Sequence, residues 1–138
     1  MSLPFRVLLY SADANSHAAA RAMQSSVDQP MMTTFGELEV INAMGLRVFR
    51  KEISLQEAQS SLRHFQNDLR NGIFQLRGLV DSILERSAQL SRQTTAKFGA
   101  RTVDILHVAA ALELGADHLY TFDQKQRKLA RAFRLKVN

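Results

Sequence analysis

The stretch that decides the fold covers residues 101–123 and is RTVDILHVAAALELGADHLYTFD. Its first part predicts a helix over Thr102–Leu114, which Thr102 caps and which Gly115 ends. The short apolar run His118–Phe122 follows at once and predicts a buried strand. A helix that leads directly into a buried strand is typical of a βαβ unit in a parallel sheet.

The same alternation of helices and short apolar runs extends to both sides of this stretch. On the N-terminal side it predicts a helix from Asn15 or Ser16 to about Met23, a strand over Met31–Thr34 and an amphipathic helix from Phe35 to about Arg50. These are followed by a helix that begins at the capping box Ser54–Glu57 and stops at Asn71 and Gly72, a strand over Ile73–Leu76 and a helix from Val80 that fades near Thr94. On the C-terminal side it predicts a helix over Gln124–Phe133 and a strand over Leu135–Val137. Periodicity leaves the run Phe5–Tyr10 open between a strand and a helical turn. We therefore predict an α/β fold with a mainly parallel central sheet and helices on both faces.

One of these helices has an apolar pattern that also predicts which side is buried. From Phe35 to about Arg50, apolar residues and a glycine recur at helical spacing, namely Leu38, Ile41, Gly45, Val48 and Phe49. We expect these positions to form the apolar face of the helix.

Composition limits the class of protein. The chain has 138 residues, of which 46% are hydrophobic, so one globular domain is expected and a disordered chain is excluded. The net charge of +5 favours polyanions such as nucleic acid as partners. With no Cys, a disulfide framework, a thiolate zinc site and a cysteine nucleophile are all excluded. No apolar run approaches the roughly 18 residues that span a bilayer, and no signal peptide is evident, so we expect a cytoplasmic protein without membrane contact.

Three carboxylates lie where predicted strands end or helices begin. Asp123 follows a strand directly, Asp104 lies in the first turn of a helix, and Glu39 lies in the first turns of the helix after the strand near Met31. Ligands of parallel sheets bind beyond the carboxyl ends of the strands, so these three side chains could converge. Each also has a local explanation, since the helix dipole favours acids in a first turn and Asp123 suits a helix N-cap.

Neighbouring polar residues add less. His107 follows Asp104 by three residues, a spacing that usually indicates a local contact or a core histidine. The four His are too scattered to form a transition-metal cluster. Glu37 precedes Glu39 by two residues and points to another side of the helix, so only one of them is expected to face the site.

Three segments together resemble a known family. Their residue types and spacing are similar to those of PIN domains, and especially of VapC-type toxins, in the segments Thr33–Met44, Arg101–Asp117 and Leu119–Asp123. The resemblance extends from about Tyr10 to Val137 and is most specific in its C-terminal part. It implies a three-layer α/β fold, a magnesium- or manganese-dependent ribonuclease, a homodimer and an antitoxin protein as partner.

The resemblance also implies roles for individual residues. Glu39, Asp104 and Asp123 match three of the family's four acidic positions, which makes them the expected ligands of Mg²⁺ or Mn²⁺. Thr121 resembles the family's hydroxyl residue at the rim of the site, although a β-branched strand residue would look the same. The chemistry agrees independently, because a hard cation prefers carboxylate oxygens and can generate a hydroxide nucleophile beside a phosphate.

This sequence departs from the family's pattern at the position of the fourth acid. If Phe5–Tyr10 matches the family's first helix, the first strand and its Asp should fall at or before Ser2, where they are missing. In the other register Phe5–Ala12 is the first strand and Asp13–Asn15 is the acidic motif, which leaves a short helical segment before Met31. The first register is favoured, so a missing first strand is expected.

The C-terminal segment is strongly basic. From Gln124 to Asn138 there is no acid, and six residues are basic, namely Lys125, Arg127, Lys128, Arg131, Arg134 and Lys136. Such a run is usually a solvated helix face, but beside a metal site it could neutralise RNA phosphates.

Three functions remain open from the sequence. The leading hypothesis is an endoribonuclease that cleaves single-stranded RNA with the metal held by the three acids. The alternative is a catalytically silent module of the same fold that binds RNA or a protein. A basic DNA-binding module is weaker, since no helix-turn-helix pair with a recognition helix is visible.

Overall fold

The computed structural model describes residues 5–8, 30–121 and 123–137, with the backbone alone for residues 5–8. Within these residues the strands form a parallel sheet in the order β3-β2-β1-β4-β5, where β1 is Phe5–Leu8, β2 is Pro30–Thr33, β3 is Gln75–Arg77, β4 is Ala116–Tyr120 and β5 is Lys136–Val137. The helices are α1 over Thr34–Phe49, α2 over Leu55–Arg70, α3 over Asp81–Phe98, α4 over Thr102–Glu113 and α5 over Gln124–Ala132. The predicted α/β class and the parallel sheet are therefore correct.

Strand β1 occupies the middle of the sheet, which corrects the expectation of a missing first strand. Val7 is paired with Met31 of β2 on one side and with Leu119 of β4 on the other. Periodicity alone does not distinguish a buried strand from a helical turn in a short apolar run, so the sequence of Phe5–Tyr10 was compatible with both. Of the two registers, the one that makes Phe5 the start of the first strand agrees with this pairing. The acid of that register, Asp13, lies outside the described residues, as does the predicted helix near Met23.

Two apolar clusters contact adjacent residues of β2. Met31 belongs to a cluster with α3, α4 and α5 residues such as Ile83 and Leu129, whereas Met32 belongs to a cluster with Phe65 of α2 and Val40 of α1. Successive side chains of a strand point to opposite faces, which explains why the two methionines divide between the clusters. The three-layer arrangement itself remains a prediction.

Helix α1 exists as predicted, but its buried face differs. Thr33 caps it, with Oγ1 accepting the N–H of Gly36 at 2.9 Å. The buried positions are Gly36, Val40, Ala43 and Met44, whereas Leu38, Ile41 and Phe49 are 58%, 42% and 83% exposed. Because apolar residues lie on nearly every side of this helix, their spacing did not determine which side faces the core.

The other helices follow most of their sequence signals, although the N-cap of α4 is Arg101 and not the predicted Thr102, which is the first residue of the helix. Ser54 and Glu57 form the predicted capping box of α2, with bonds of 3.0 and 3.1 Å. Helix α3 continues past the predicted end near Thr94 as far as Phe98, and within it the Thr94 hydroxyl donates to the Leu90 carbonyl at 2.6 Å. It ends at Gly99, whose φ of 65° is the left-handed conformation that glycine adopts easily.

Helix α4 lies at the centre of the larger cluster. Ile105, Val108, Ala109, Ala110 and Ala111 are all at most 3% exposed. The helix therefore cannot shift without unpacking the core, and polar side chains on it are held in fixed positions. Among the described residues, no helix has the length and apolarity needed to cross a membrane.

The exposure of α1 gives a direct test of its orientation. We expect Met44→Ala to lower the free energy of unfolding by about 2 kcal/mol or more, because it opens a cavity under the helix. Leu38→Ala should change it by less than about 0.5 kcal/mol, since that side chain is in solvent. Urea denaturation of both variants measures the difference, and a larger loss for Leu38→Ala would contradict the observed orientation.

Candidate active site

Asp123 connects β4 to α5 as the N-cap of the helix. Its Oδ1 accepts the backbone N–H of Lys125 at 2.8 Å and that of Gln126 at 3.3 Å. The N-cap expectation from sequence is thus confirmed. Because one carboxylate oxygen is used by the cap, the orientation of the other, Oδ2, is fixed as well.

Thr121 holds the backbone of Asp123 in place. Its hydroxyl accepts the N–H of Asp123 at 3.0 Å and donates to Oε1 of Gln126 at 2.8 Å. Thr121 is 1% exposed, so the structure buries the hydroxyl that the sequence predicts at the rim of the site. The reason is that this hydroxyl bonds to the backbone N–H of Asp123 and to the side chain of Gln126, which is itself buried. The residue therefore contributes to positioning Asp123.

Asp104 lies in the first turn of α4 and is completely buried, with 0% exposure. Its Oδ2 accepts the backbone N–H of Arg101 at 3.1 Å, a bond that helps to begin the helix. The same oxygen accepts Nε of Arg101 at 3.3 Å, and Oδ1 accepts Nη2 at 3.4 Å. A buried carboxylate is costly unless it is paired, and here Arg101 supplies the pairing.

Arg101 also contacts the second carboxylate. Its Nη2 donates to Oδ2 of Asp123 at 2.8 Å, so the two carboxylates share one guanidinium. The pKa of Arg101 is raised most by its hydrogen bonds with Asp104, next by the negative charge of Asp104, and more weakly by Asp123. The group therefore stays cationic. The Arg101 side chain itself is 58% exposed. Arg101 is not among the residues predicted from the sequence; the available signal was its place three residues before Asp104.

Glu39 reaches α4 through a different residue. Its Oε1 is hydrogen-bonded to Nε2 of His107, which is 1% exposed and therefore a core histidine, as its spacing indicated. The Phe35 ring packs against the imidazole with centroids 5.4 Å apart, and Glu39 remains 28% exposed. Since His107 follows Asp104 by three residues in α4, Glu39 is fixed to the same helix about one turn further on.

The structure thus brings Asp104 and Asp123 together around Arg101. Glu39, the third expected metal ligand, is instead hydrogen-bonded to His107. Across residues 30–121 and 123–137, no three His, Asp or Glu side chains are grouped so that they could hold a metal ion. The two paired carboxylates nevertheless suit a hard cation, since Mg²⁺ is commonly held by one or two carboxylates, waters and substrate phosphate. Both already face a single positive group, which is the electrostatic arrangement that such a cation requires.

The basic residues of α5 divide into two sets. Arg127 is used by the fold, because its Nε donates to the Thr121 carbonyl at 3.0 Å. The ammonium group of Lys128 lies 5.7 Å from the centre of the Phe98 ring. Lys125 and Arg131 are exposed at opposite ends of the helix. Lys125 is therefore the exposed lysine of this helix nearest in sequence to Asp123.

Comparison with known proteins identifies the family to which the chain belongs. The family model of the PIN domain matches residues 6–132. A toxin–antitoxin complex from Klebsiella pneumoniae has a similar structure, with a TM-score of 0.55 at 16% identity over 91% of this chain and 90% of that one, and this likeness concerns the fold alone. The comparison with curated proteins gives no significant match. Since the family model covers nearly the whole chain, the chain belongs to the PIN domain family, whose members are generally nucleases.

Proposed function

We propose that this chain is a metal-dependent endoribonuclease of the toxin type, which hydrolyses phosphodiester bonds of single-stranded RNA. The observation that carries the proposal is the pair formed by Asp104 and Asp123, whose carboxylates share one cationic group. Membership of the PIN domain family supports the nuclease activity. Metal dependence and the RNA substrate are what the resemblance to VapC-type toxins implies, and the paired carboxylates and the basic helix are compatible with both.

In this proposal Asp104 and Asp123 hold Mg²⁺ or Mn²⁺. When bound, such a cation would activate a water and neutralise the charge that develops on the phosphate. Asp104 contributes a carboxylate in a fixed, water-free position, because it is fully buried. Asp123 contributes Oδ2, while Oδ1 keeps the helix cap and Thr121 fixes the backbone of the residue.

Glu39 is the third acidic residue of the proposed site. Its partial exposure of 28% leaves the carboxylate within reach of solvent, and His107 limits its rotation. A carboxylate held in this way can orient a water or accept its proton during attack on phosphorus. His107 is too buried to touch the substrate, so its proposed role is to position Glu39.

The proposed partners are RNA, an antitoxin protein and a second copy of the chain. The similar structure from Klebsiella pneumoniae was solved as a toxin–antitoxin complex, which supports the antitoxin as the protein partner. The proposed antitoxin of this chain would cover the exposed apolar side chains of α1, among them Leu38, Ile41 and Phe49. The proposed place of action is the cytoplasm.

Removal of either paired carboxylate tests the activity. We expect Asp104→Asn and Asp123→Asn each to reduce Mn²⁺-dependent cleavage of a single-stranded RNA oligonucleotide by at least about a hundredfold, because each removes a charge that holds the cation. Asp81→Asn is the matched control, since Asp81 also lies in the first turn of a helix but belongs to α3. Cleavage that survives both site substitutions would contradict the assignment of the site to these two acids, whereas a wild type that binds RNA without cleaving it would favour the silent binding module.

The fourth acid has a separate test. Strand β1 is parallel to β4, so the chain leaves β1 after Leu8 from the edge at which Asp123 follows β4. We therefore propose Asp13, five residues after Leu8, as the fourth acid from its sequence position. Asp13→Asn should lower RNA cleavage at least about tenfold at limiting Mn²⁺. Unchanged cleavage would mean that Asp13 is not the fourth acid.

The basic helix can be tested through salt dependence. If Lys125 contacts phosphate, Lys125→Gln should weaken RNA binding and reduce the slope of log affinity against log salt by about one. Arg131→Gln removes the same charge from the far end of α5 and should leave the slope closer to that of the wild type. Fluorescence anisotropy with an uncleavable RNA at several salt concentrations measures both, and equal slopes for all three proteins would make Lys125 ordinary solvated surface.

A further inference from the structure

Arg101 has the position and charge of a cation bound between the two carboxylates. Its Nη2 lies 3.4 Å from Oδ1 of Asp104 and 2.8 Å from Oδ2 of Asp123, so one nitrogen bridges both groups. The guanidinium and a divalent cation cannot both occupy that point. Any cation that binds the pair must therefore displace the side chain of Arg101 or bind at a distance from it.

The two ends of this ion pair differ in their freedom to move. Asp104 is fully buried and cannot turn towards water, whereas the Arg101 side chain is 58% exposed. When the guanidinium moves away, the backbone N–H of Arg101 still bonds to Oδ2 of Asp104 at 3.1 Å, because that bond belongs to the start of α4. The carboxylate thus keeps its orientation while its charge partner changes.

We propose that Arg101 is a tethered counter-cation that stabilises the metal-free site and competes with the divalent cation for Asp104 and Asp123. This inference rests on the proposed metal site and adds its regulation. For a cation that binds at the point shared by the two carboxylates, the competition sets the concentration at which the site fills, since the guanidinium must leave before the cation enters. It also explains how a buried carboxylate is tolerated in the metal-free protein.

The test compares cation binding by wild type and by Arg101→Gln, measured by calorimetric titration of the folded proteins with Mn²⁺ and without RNA. We expect Arg101→Gln to bind Mn²⁺ at least about tenfold more tightly, because the competing charge is gone. Its melting temperature in EDTA should fall by about 4 °C or more, and saturating Mn²⁺ should remove most of that deficit. Arg101→Lys keeps the charge, so its affinity should stay within about threefold of that of the wild type.

Arg86→Gln is the matched control for lost charge. Arg86 pairs with Glu113 at the opposite end of α4 at 3.0 Å, with its side chain 41% exposed, so this variant should bind Mn²⁺ like the wild type. Equal or weaker Mn²⁺ binding by Arg101→Gln would overturn the competition and leave the proposed metal site intact, as would tighter binding by Arg101→Lys to the same degree. If Asp104→Asn and Asp123→Asn bind Mn²⁺ as well as wild type does, the metal site itself fails, and the competition fails with it.

Discussion

The buried carboxylate of Asp104 is the constraint on which the candidate site depends. A carboxylate with no access to water needs a positive partner and hydrogen-bond donors, and Arg101 provides both from the N-cap position of α4. The same guanidinium then reaches Asp123, so the start of α4 is joined to the start of α5. Satisfying one buried charge in this way also fixes the distance between two carboxylates that lie 19 residues apart in the chain.

Helix α4 organises all three acidic residues, although only Asp104 belongs to it. Asp123 is joined to it through Arg101, and Glu39 through His107, one turn along the same helix. The helix can do this because its apolar side packs in the larger core cluster and cannot rotate. A variant that loosened the core beneath α4 would therefore disturb all three acids together, at positions that it does not contact.

The sequence was most informative where a signal is local. Capping residues such as Ser54, helix stops such as Gly115 and the order of helices and strands were all predictable, because turns and caps depend on neighbouring residues. The buried face of α1 and the strand at Phe5 were not, since apolar residues on several sides fit more than one packing. Arg101 was missed for a related reason: its contact with Asp123 spans 22 residues and exists only after α4 and α5 have packed.

The site also shows why local and functional explanations of one residue need not compete. The N-cap role of Asp123 uses Oδ1, and its contact with Arg101 uses Oδ2, so the cap determines where the second oxygen points. Asp104 likewise accepts a backbone N–H that begins α4 while it binds the guanidinium. Carboxylates fixed by secondary structure lose little further freedom when a cation binds, which favours affinity at a site with few protein ligands. A helix start at which an acid is favoured is therefore a suitable place for a carboxylate that also binds a cation.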